Sequence, residues 1–335
     1  MKTATAAIAS VSLAGCGIKS KNAGGKIILS FYLDDTSPGI AKAEAYKEFL
    51  EFCESNGVKG ESSVILGYSG KSMAQDPDEN QDLFLAEVRK SYEKGIDSHI
   101  ELMTHHGLYD FVTGAMKETG IHEGLWLHEA SVSSEEYYRY FSNILAEGEK
   151  AGIKYTGLTW PGCGCEACTK RYDELRKEGP LYIGNAALDA LLRLAKEGKF
   201  RGRVIPIFYD ADETNFGVFR KAADGKYGVY DMMPNAMDQF GIWENSAARV
   251  NPDYYISDDG KSGIIRRHLE AHDPYCMWYM HYQGVNPEKG LGWAAFKTVV
   301  GRIQTHLSDQ VIWMRPSDVV TAYHDAGGWS FTENL

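Results

Sequence analysis

The sequence predicts an α/β fold, a closed or nearly closed (β/α) barrel with seven or eight parallel strands. From residue 26 onward, short apolar runs alternate with amphipathic stretches, as expected for strands joined by crossover helices. The strand candidates recur at intervals of roughly 25–55 residues, in most cases enough for one strand and one helix each. No linker rich in Pro, Gly or Ser divides the chain, so we expect a single barrel domain over residues 26–335.

Each element is predicted from apolar periodicity and from the residues that bound it. The strand candidates are residues 27–34, 62–68, 98–105, 153–159, 203–209, 228–233, 275–281 and 310–314. The helix candidates are residues 40–55, 79–93, 135–151, 166–177, 184–197, 263–271 and 290–307. Ser133 and Ser134 suit a helix start, while Gly152 and Gly198 suit helix ends. We interpret the irregular segment 211–262 as long loops over one barrel face.

The composition and net charge limit the kinds of molecule that we expect this protein to bind. The chain has 335 residues, 44% hydrophobic and 24% charged, as in an ordinary globular protein. Its net charge of -11 opposes binding to a nucleic-acid backbone, so we expect no nucleic-acid partner. No run reaches the roughly 18 apolar residues of a transmembrane helix.

The first residues are typical of a sorting signal rather than of a folded element. Lys2 precedes a weakly apolar run, and the segment Leu13 to Cys16 resembles a bacterial lipobox, in which the cysteine is lipidated. We expect a lipoprotein or twin-arginine signal over residues 1–16 and a polar tether over residues 17–25. The protein would then be an exported bacterial lipoprotein, periplasmic or at the cell surface, attached to the membrane by its lipid anchor only. The alternative is a short buried segment with a chance cysteine.

Two adjacent acidic residues, Asp34 and Asp35, follow the first apolar strand. Burying unpaired charge is costly, so such a pair normally meets a metal, a base or water. The carboxyl ends of barrel strands are where these folds carry out chemistry. Alternation points the two side chains in different directions, so one could bind a metal while the other acts as a base. The alternative is a surface turn that caps the following helix.

A second strand end carries further ligand-type residues. His99, Glu101, Met103 and His105 share one face by alternation, and His106 follows directly. Imidazole nitrogen together with carboxylate oxygen suits Zn²⁺ and similar divalent ions. Because both strand ends would lie at one edge of the barrel, the sequence predicts a metal site there.

These residues resemble the motifs of the polysaccharide deacetylase family. The segment Ser30 to Gly39 is similar to that family's Thr-Phe-Asp-Asp-Gly strand end, and Glu101 to His105 to its Glu-Ile-Gly-x-His strand end. Tyr279 to His281 resembles the late Leu-Leu-His motif. Trp160 to Gly162 lies where the family has an Arg-Pro-Pro loop, and Trp313 to Ser317 resembles the last barrel strand. The resemblance spans about residues 26 to 325 and identifies a divergent member.

The resemblance implies roles for individual residues. Asp34 would be the general base, and His281 would be the acid that protonates the leaving amine. Asp35 and His105 would bind the divalent metal, expected to be zinc. His106 or Asp110 would supply the third ligand.

The chain departs from the family pattern in three places. The second metal histidine of the family lies four residues after the first, where this chain has Tyr109. The catalytic arginine of the third motif is absent, since the local residues are Thr159 and Trp160. Tyr32 and Leu33 look inserted into the first motif.

The function implied is a metal-dependent hydrolysis of carbohydrate amide (N-acetyl) bonds, with a carbohydrate as substrate. One alternative is a glycoside hydrolase with paired carboxylates, which needs no metal. Another is a carbohydrate-binding lipoprotein that has lost catalysis. Trp160 and Asp210, both after predicted strands, are further candidates for substrate contact, although Asp210 is also compatible with a solvated loop.

Three cysteines, Cys163, Cys165 and Cys168, form a compact cluster at a predicted strand-to-helix turn. A helix start favours thiolate, so the cluster could bind a second metal, with Cys276 or a histidine as fourth ligand. In an oxidising compartment the alternative is one disulfide and a spare thiol. A third interpretation is that the thiols are free.

Overall fold

The structure, a computed structural model, describes residues 26–67, 79–117, 122–126, 131–160, 174, 183–214, 216–241 and 249–328. Several expectations lie outside these residues: the signal segment with Cys16, the tether, and the cluster of Cys163, Cys165 and Cys168. The predicted helix 166–177 also lies outside them, apart from residue 174. These expectations stay predictions.

Each of the eight predicted strands is present, several of them shorter than predicted. The described strands are β1 Ile27–Asp34, β2 Gly60–Val64, β3 Ile96–Ile100, β4 Tyr109–Asp110, β5 Ala115–Met116, β6 Gly157–Thr159, β7 Val204–Phe208, β8 Val218–Asp224, β9 Tyr227–Met232, β10 Tyr275–His281 and β11 Val311–Trp313. β3 ends at Ile100 rather than at residue 105 because Leu102 has a φ of 50°, which departs from the extended path.

Six of the described helices match predicted ones to within about three residues at each end. The described helices are α1 Ala43–Ser55, α2 Glu79–Ser91, α3 Glu123–Trp126, α4 Ser134–Lys150, α5 Asn185–Lys196, α6 Pro252–Tyr255, α7 Ile264–Ala271, α8 Tyr282–Val285, α9 Trp293–Leu307 and α10 Pro316–Asp325. Of these, α3, α6, α8 and α10 were not predicted. Gly152 and Gly198, with φ of 74° and 71°, follow the ends of α4 and α5, as expected for helix stops. Within the described residues, no helix is long and apolar enough to cross a bilayer.

The strands pair in two main sheets. Their orders are β10-β1-β11 and β2-β3-β6-β7-β9-β8, and β4 pairs with β5 separately. Within the main sheets every pair is parallel except β8 with β9. Single bridges, Thr36 with Val64 and Ala236 with Trp278, link the two sheets. The α/β architecture is confirmed, whereas the described strands do not form one continuous backbone ladder around a closed barrel.

β1 lies between two hydrophobic cores. Leu29 and Phe31 belong to the larger core, which includes the apolar faces of α1, α4, α5 and α9. Ile28 and Tyr32, on the opposite face, belong to a second core together with side chains of β7, β9 and β10. Asp34 has the same parity as Ile28 and Tyr32, so it points to the space that these strands enclose.

The segment 211–262 differs from the loop interpretation. It contains β8 and β9 as an antiparallel hairpin, and the short helix α6. Gly225 turns the hairpin with a φ of 54°, directly after Asp224. Asp-Gly between two strand-like runs is a strong hairpin signal, so this element could have been predicted.

Candidate metal centre

The acidic pair lies where β1 ends, at the edge formed by the carboxyl ends of the parallel strands. Asp34 is the last residue of β1, and Asp35 follows with a left-handed backbone, φ 63°. This conformation costs about 1–3 kcal/mol for a residue other than glycine, so surrounding contacts must hold it. One such contact is the carboxylate of Glu101, whose Oε2 accepts from the Asp35 N–H at 2.7 Å.

One face of β3, continued by the residue that follows it, carries polar side chains. Asp97, His99 and Glu101 alternate along it, and all three are buried. Ser98, on the other face, contacts Ser91 of α2. Beyond Ile100 the chain leaves the strand, and a loop brings His105 back toward Glu101.

Asp35, Glu101 and His105 come together as one group. Each offers one ligand atom, and these atoms lie within 4.8 Å of one another. His105 Nε2 is 3.4 Å from Asp35 Oδ1, and His105 Nδ1 is 3.7 Å from Glu101 Oε1. The imidazole therefore lies between two carboxylates, and its Nδ1 has no hydrogen-bond partner among the described residues.

This donor set fits a divalent cation. One imidazole and two carboxylates form a mixed nitrogen and oxygen set of the kind that suits Zn²⁺. Two donors bound to one tetrahedral ion at about 2.0–2.1 Å lie about 3.3 Å apart. The distance between His105 Nε2 and Asp35 Oδ1 is 3.4 Å. Glu101, on the Nδ1 side, can supply a third donor or orient the ring as its carboxylate partner.

The pKa values of the three side chains in this group are shifted in different directions. Burial would raise the pKa of Asp35, but the nearby His281 and His105 and a hydrogen bond from Gln283 hold it below its ordinary value. Burial and the charge of Asp35 raise the pKa of Glu101 well above its usual range. Burial lowers the pKa of His105, although Asp35 opposes this shift. Asp35 is therefore ionised, and His105 tends to be the neutral imidazole that a metal requires.

A second imidazole lies beside this group at the end of β10. His281 Nδ1 is 2.9 Å from Asp238 Oδ2, and the His281 backbone N–H donates to the same oxygen at 3.2 Å. Gln283 Nε2 donates to Asp35 Oδ2 at 2.9 Å, which ties this strand end to the acidic pair. Burial alone would lower the pKa of His281, but the hydrogen bond to Asp238 and the charge of Asp35 raise it above its ordinary value.

The two predicted catalytic residues are neighbours across parallel strands. Asp34 of β1 is in register with His281 of β10. Asp34 Oδ1 is buried and has no hydrogen-bond partner among the described residues. Burial, followed by the charges of Glu101 and Glu61, raises the pKa of Asp34 well above its usual range. A carboxyl group and an imidazole with raised pKa values thus stand side by side.

The remaining predicted site residues lie outside this arrangement. His106 is exposed, and its ring centroid is 5.9 Å from that of His105. Asp110 caps the turn after β4, accepting from the backbone N–H of Val112 at 2.9 Å. Trp160 is buried against Tyr209. Asp210 is partly buried after β7, and its Oδ1 accepts from the backbone N–H of Ala211.

The position of the missing arginine belongs to a buried polar cluster. Thr159 Oγ1 donates to Glu61 Oε1 at 3.2 Å and is 3.2 Å from His99 Nδ1. Glu61 Oε2 also accepts from the backbone N–H of Leu33 at 3.1 Å, directly before Asp34. Thr159, Glu61 and His99 include no arginine or lysine, so the cluster puts no permanent cation beside Asp34, in keeping with the raised pKa of that carboxyl.

Three residues of the site were not predicted as ligands or catalytic groups. Glu101 was placed on the correct face but not assigned as a ligand, although its alternation with His105 could have suggested it. Asp238 lies in the segment interpreted as loops, and Gln283 follows β10. No local pattern marks either one, because their partners are distant in the chain.

Comparisons with known proteins give structural similarities only. No protein-family model and no curated protein matches the sequence. A polysaccharide deacetylase from Mycobacterium smegmatis is 11% identical with a TM-score of 0.49, over 93% of this chain and 96% of that one. One from Pseudomonas aeruginosa PAO1 is 12% identical with a TM-score of 0.47, over 89% and 91%.

A third similar structure is described as a pseudoenzyme of the CE4 family from Bacillus anthracis. It is 10% identical with a TM-score of 0.39, over 88% of this chain and 65% of that one. At these identities and TM-scores the similarities carry no functional conclusion for this chain.

Proposed function

We propose that this protein is a metal-dependent hydrolase of carbohydrate amide bonds, of the polysaccharide deacetylase type. The observation that carries the proposal is the convergence of two sets of side chains at one strand edge. Asp35, Glu101 and His105 form a cation-binding group. Asp34 and His281 lie beside it in register.

Asp35, His105 and Glu101 would hold the ion, and a bound divalent cation supplies Lewis acidity toward an acyl oxygen. Asp34 accepts the proton of the attacking water, for which its buried and otherwise unpartnered oxygen is suited. His281 donates a proton to the leaving nitrogen. Asp238 fixes the orientation of that imidazole and stabilises its protonated form, as the 2.9 Å contact indicates.

The substrate class follows from the resemblance of the strand-end motifs to polysaccharide deacetylases, and an N-acetyl sugar is the simplest candidate. The expected lipid anchor would place this chemistry outside the cytoplasm. A carbohydrate amide is neutral, so the net charge of -11 does not oppose its binding.

The first test is metal content. The full chain should bind about one Zn²⁺, and the Asp35→Ala, His105→Ala double variant should bind none at this site. Glu101→Gln should weaken binding, whereas the exposed His106→Ala should leave it unchanged. If His106→Ala loses the ion and Glu101→Gln keeps it, the ligand set predicted from the sequence replaces the one proposed from the structure. A wild-type chain without any bound Zn²⁺ would refute the metal centre.

The second measurement is turnover. The Zn²⁺-loaded protein should release acetate from N-acetylated oligosaccharides, and chelation should abolish the release. Asp34→Asn should lower kcat by a factor of about 10²–10⁴ while leaving Zn²⁺ bound. New reducing ends in the presence of chelator would instead support a glycoside hydrolase, and sugar binding without turnover would support a binding protein.

A further inference from the structure

The loop that carries His105 is held by a buried carboxylate from outside the metal group. The loop runs from the end of β3 to β4, and Glu123 opens the short helix α3 on its far side. Glu123 is fully buried, with 0% of its surface exposed. Burying a carboxylate is costly unless it accepts hydrogen bonds, so the donors bonded to Glu123 show which part of the chain it holds in place.

Those partners are consecutive backbone amides of the loop. The N–H groups of Met103 and Thr104 donate to Glu123 at 2.9 Å, and the N–H of His105 donates at 3.0 Å. The Thr104 hydroxyl lies 3.0 Å from Glu123 Oε2 and 2.7 Å from the Gly107 carbonyl, so its single proton is shared between these two acceptors. The Tyr140 hydroxyl of α4 donates to Oε1. Both carboxylate oxygens are therefore occupied, by three backbone N–H groups of the loop and by the hydroxyl of one scaffold helix.

The loop needs such support because its backbone is strained at two positions. Leu102 has a φ of 50° and His105 a φ of 60°, the left-handed region that residues other than glycine rarely adopt. The three amides bound by Glu123 lie between and at these positions. Their bonds replace the strand pairing that ends at Ile100.

Main-chain contacts of residues 122 and 123 also connect the start of α3 to this loop. The Glu123 N–H donates to the His106 carbonyl at 2.5 Å, and His122 forms a bridge with Gly107. His122 Nδ1 accepts from the Gly124 N–H at 3.0 Å, so this ring nitrogen is engaged within α3. Residues 122 and 123 thus contact the main chain of the loop directly after His105.

We propose that Glu123 is a positioning residue for the metal centre: it holds the 102–105 backbone so that the His105 imidazole faces Asp35 and Glu101. The inference rests on the proposed function, because it assumes that His105 is a ligand. Glu123 itself lies outside the group of ligand atoms and acts through the backbone only. Supporting groups of this kind commonly change metal affinity by about 10–100-fold.

The test compares Glu123→Gln with Asp97→Asn in the full chain. Glutamine keeps the shape but offers only one acceptor oxygen, and its NH₂ would oppose the remaining amides. Asp97 is a matched control, a fully buried carboxylate near the start of β3 that accepts from the Ser317 backbone N–H at 2.8 Å. Tyr140→Phe is a milder second variant should Glu123→Gln fail to fold. It removes the hydroxyl that donates to Glu123 and that accepts from the Tyr109 N–H at 3.2 Å.

Two quantities are measured on the folded proteins. The Kd for Zn²⁺ should rise about 10–100-fold in Glu123→Gln, by less in Tyr140→Phe, and not in Asp97→Asn. Without metal, amide hydrogen exchange at Met103, Thr104 and His105 should accelerate in Glu123→Gln, while Asp97→Asn leaves these amides protected.

The outcomes separate this inference from the function on which it rests. If Glu123→Gln binds Zn²⁺ with wild-type affinity, Glu123 is not a positioning residue, and the metal centre stands. If the wild-type protein binds no Zn²⁺, the proposed function itself is overturned, whatever the amide exchange shows. Equal loss of Zn²⁺ affinity in Asp97→Asn would mean that general destabilisation explains the effect, and would also overturn the inference.

Discussion

The pKa values of the two histidines of the site are shifted in opposite directions, because burial dominates at His105 whereas nearby carboxylates outweigh it at His281. His281 makes a 2.9 Å contact with Asp238, which contributes to raising its pKa. His105 is 3.4 Å from the nearer of its two carboxylates, and burial lowers its pKa. A neutral imidazole suits a ligand, whereas a protonated one suits an acid. The environments therefore assign different roles to two chemically identical groups.

This assignment predicts a shift in the pH dependence of the reaction. His281 acts when it is protonated, so kcat/KM falls as the pH rises through its pKa. Asp238→Asn removes the charge that raises this pKa, so the fall should begin at lower pH, and kcat/KM near neutral pH should drop about 10–100-fold. The low-pH limb, which requires ionised Asp34, should also move to lower pH but by less, because the charge of Asp238 is one of the smaller causes that raise the pKa of Asp34. Rates measured across the pH range check this.

A second histidine–aspartate pair supplies the control for that experiment. His268 Nδ1 lies 2.8 Å from Asp273 Oδ2, away from the metal group. Asp273→Asn removes the same kind of charge and should leave the pH profile unchanged. Identical profiles for wild type and Asp238→Asn would argue against His281 as the acid.

Among the elements, α4 links the scaffold to the site. Ser133 caps it, accepting from the Glu136 N–H at 3.3 Å while the Glu136 carboxylate accepts from the Ser133 N–H at 2.9 Å. This capping box begins the helix at the residues where the sequence predicted a start. Two turns after Ser133, Tyr140 donates to Glu123. The start of α4 is thus set by local sequence, whereas its contact with the loop is not.

Ser133→Ala should lower the free energy of unfolding by about 1 kcal/mol, because the first turn of α4 loses its side-chain acceptor. The Zn²⁺ affinity should not change, since the cap lies two turns from Tyr140 and outside the metal group. Ser134→Ala, at the first helical residue, is the matched control and should change stability by less. Equal losses in the two variants, measured by denaturant unfolding, would argue against the cap.

In the whole molecule, side chains connect the two main sheets where backbone pairing is sparse. Asn235 donates to the Tyr275 carbonyl at 2.9 Å and accepts from the Met277 N–H at 2.8 Å, joining the chain after β9 to β10. At the other junction, Glu61 of β2 accepts from the Leu33 N–H of β1, and Ser63 donates to the Leu33 carbonyl. Polar side chains thus replace part of a strand ladder at both junctions.

Asn235→Ala should therefore be strongly destabilising. Two buried backbone groups of β10 would lose their partners, at about 1–3 kcal/mol each, so we expect a loss of about 2–4 kcal/mol in the free energy of unfolding. Asn251→Ala, an exposed asparagine before α6, should change stability little. If both variants unfold at the wild-type denaturant concentration, the junction does not depend on this side chain.

Eight of the described strands, six of the described helices and the strand-end positions of Asp34 and Asp35 follow from the sequence, because burial periodicity, caps and helix stops are local properties. His105 was placed at the correct edge, but in a strand rather than a strained loop. The backbone conformation at Leu102 depends on Glu123 and could not be seen in the segment itself.

Which groups meet at the site depends on strand order and register. Glu101 rather than His106 faces Asp35, Asp238 pairs with His281, and Glu61 binds the backbone before Asp34. Each pair joins residues that are far apart in the chain or separated by a turn of unusual backbone. Local patterns specify where a side chain lies along its own strand, whereas folding selects its neighbours, because only packing brings distant strand ends to one edge.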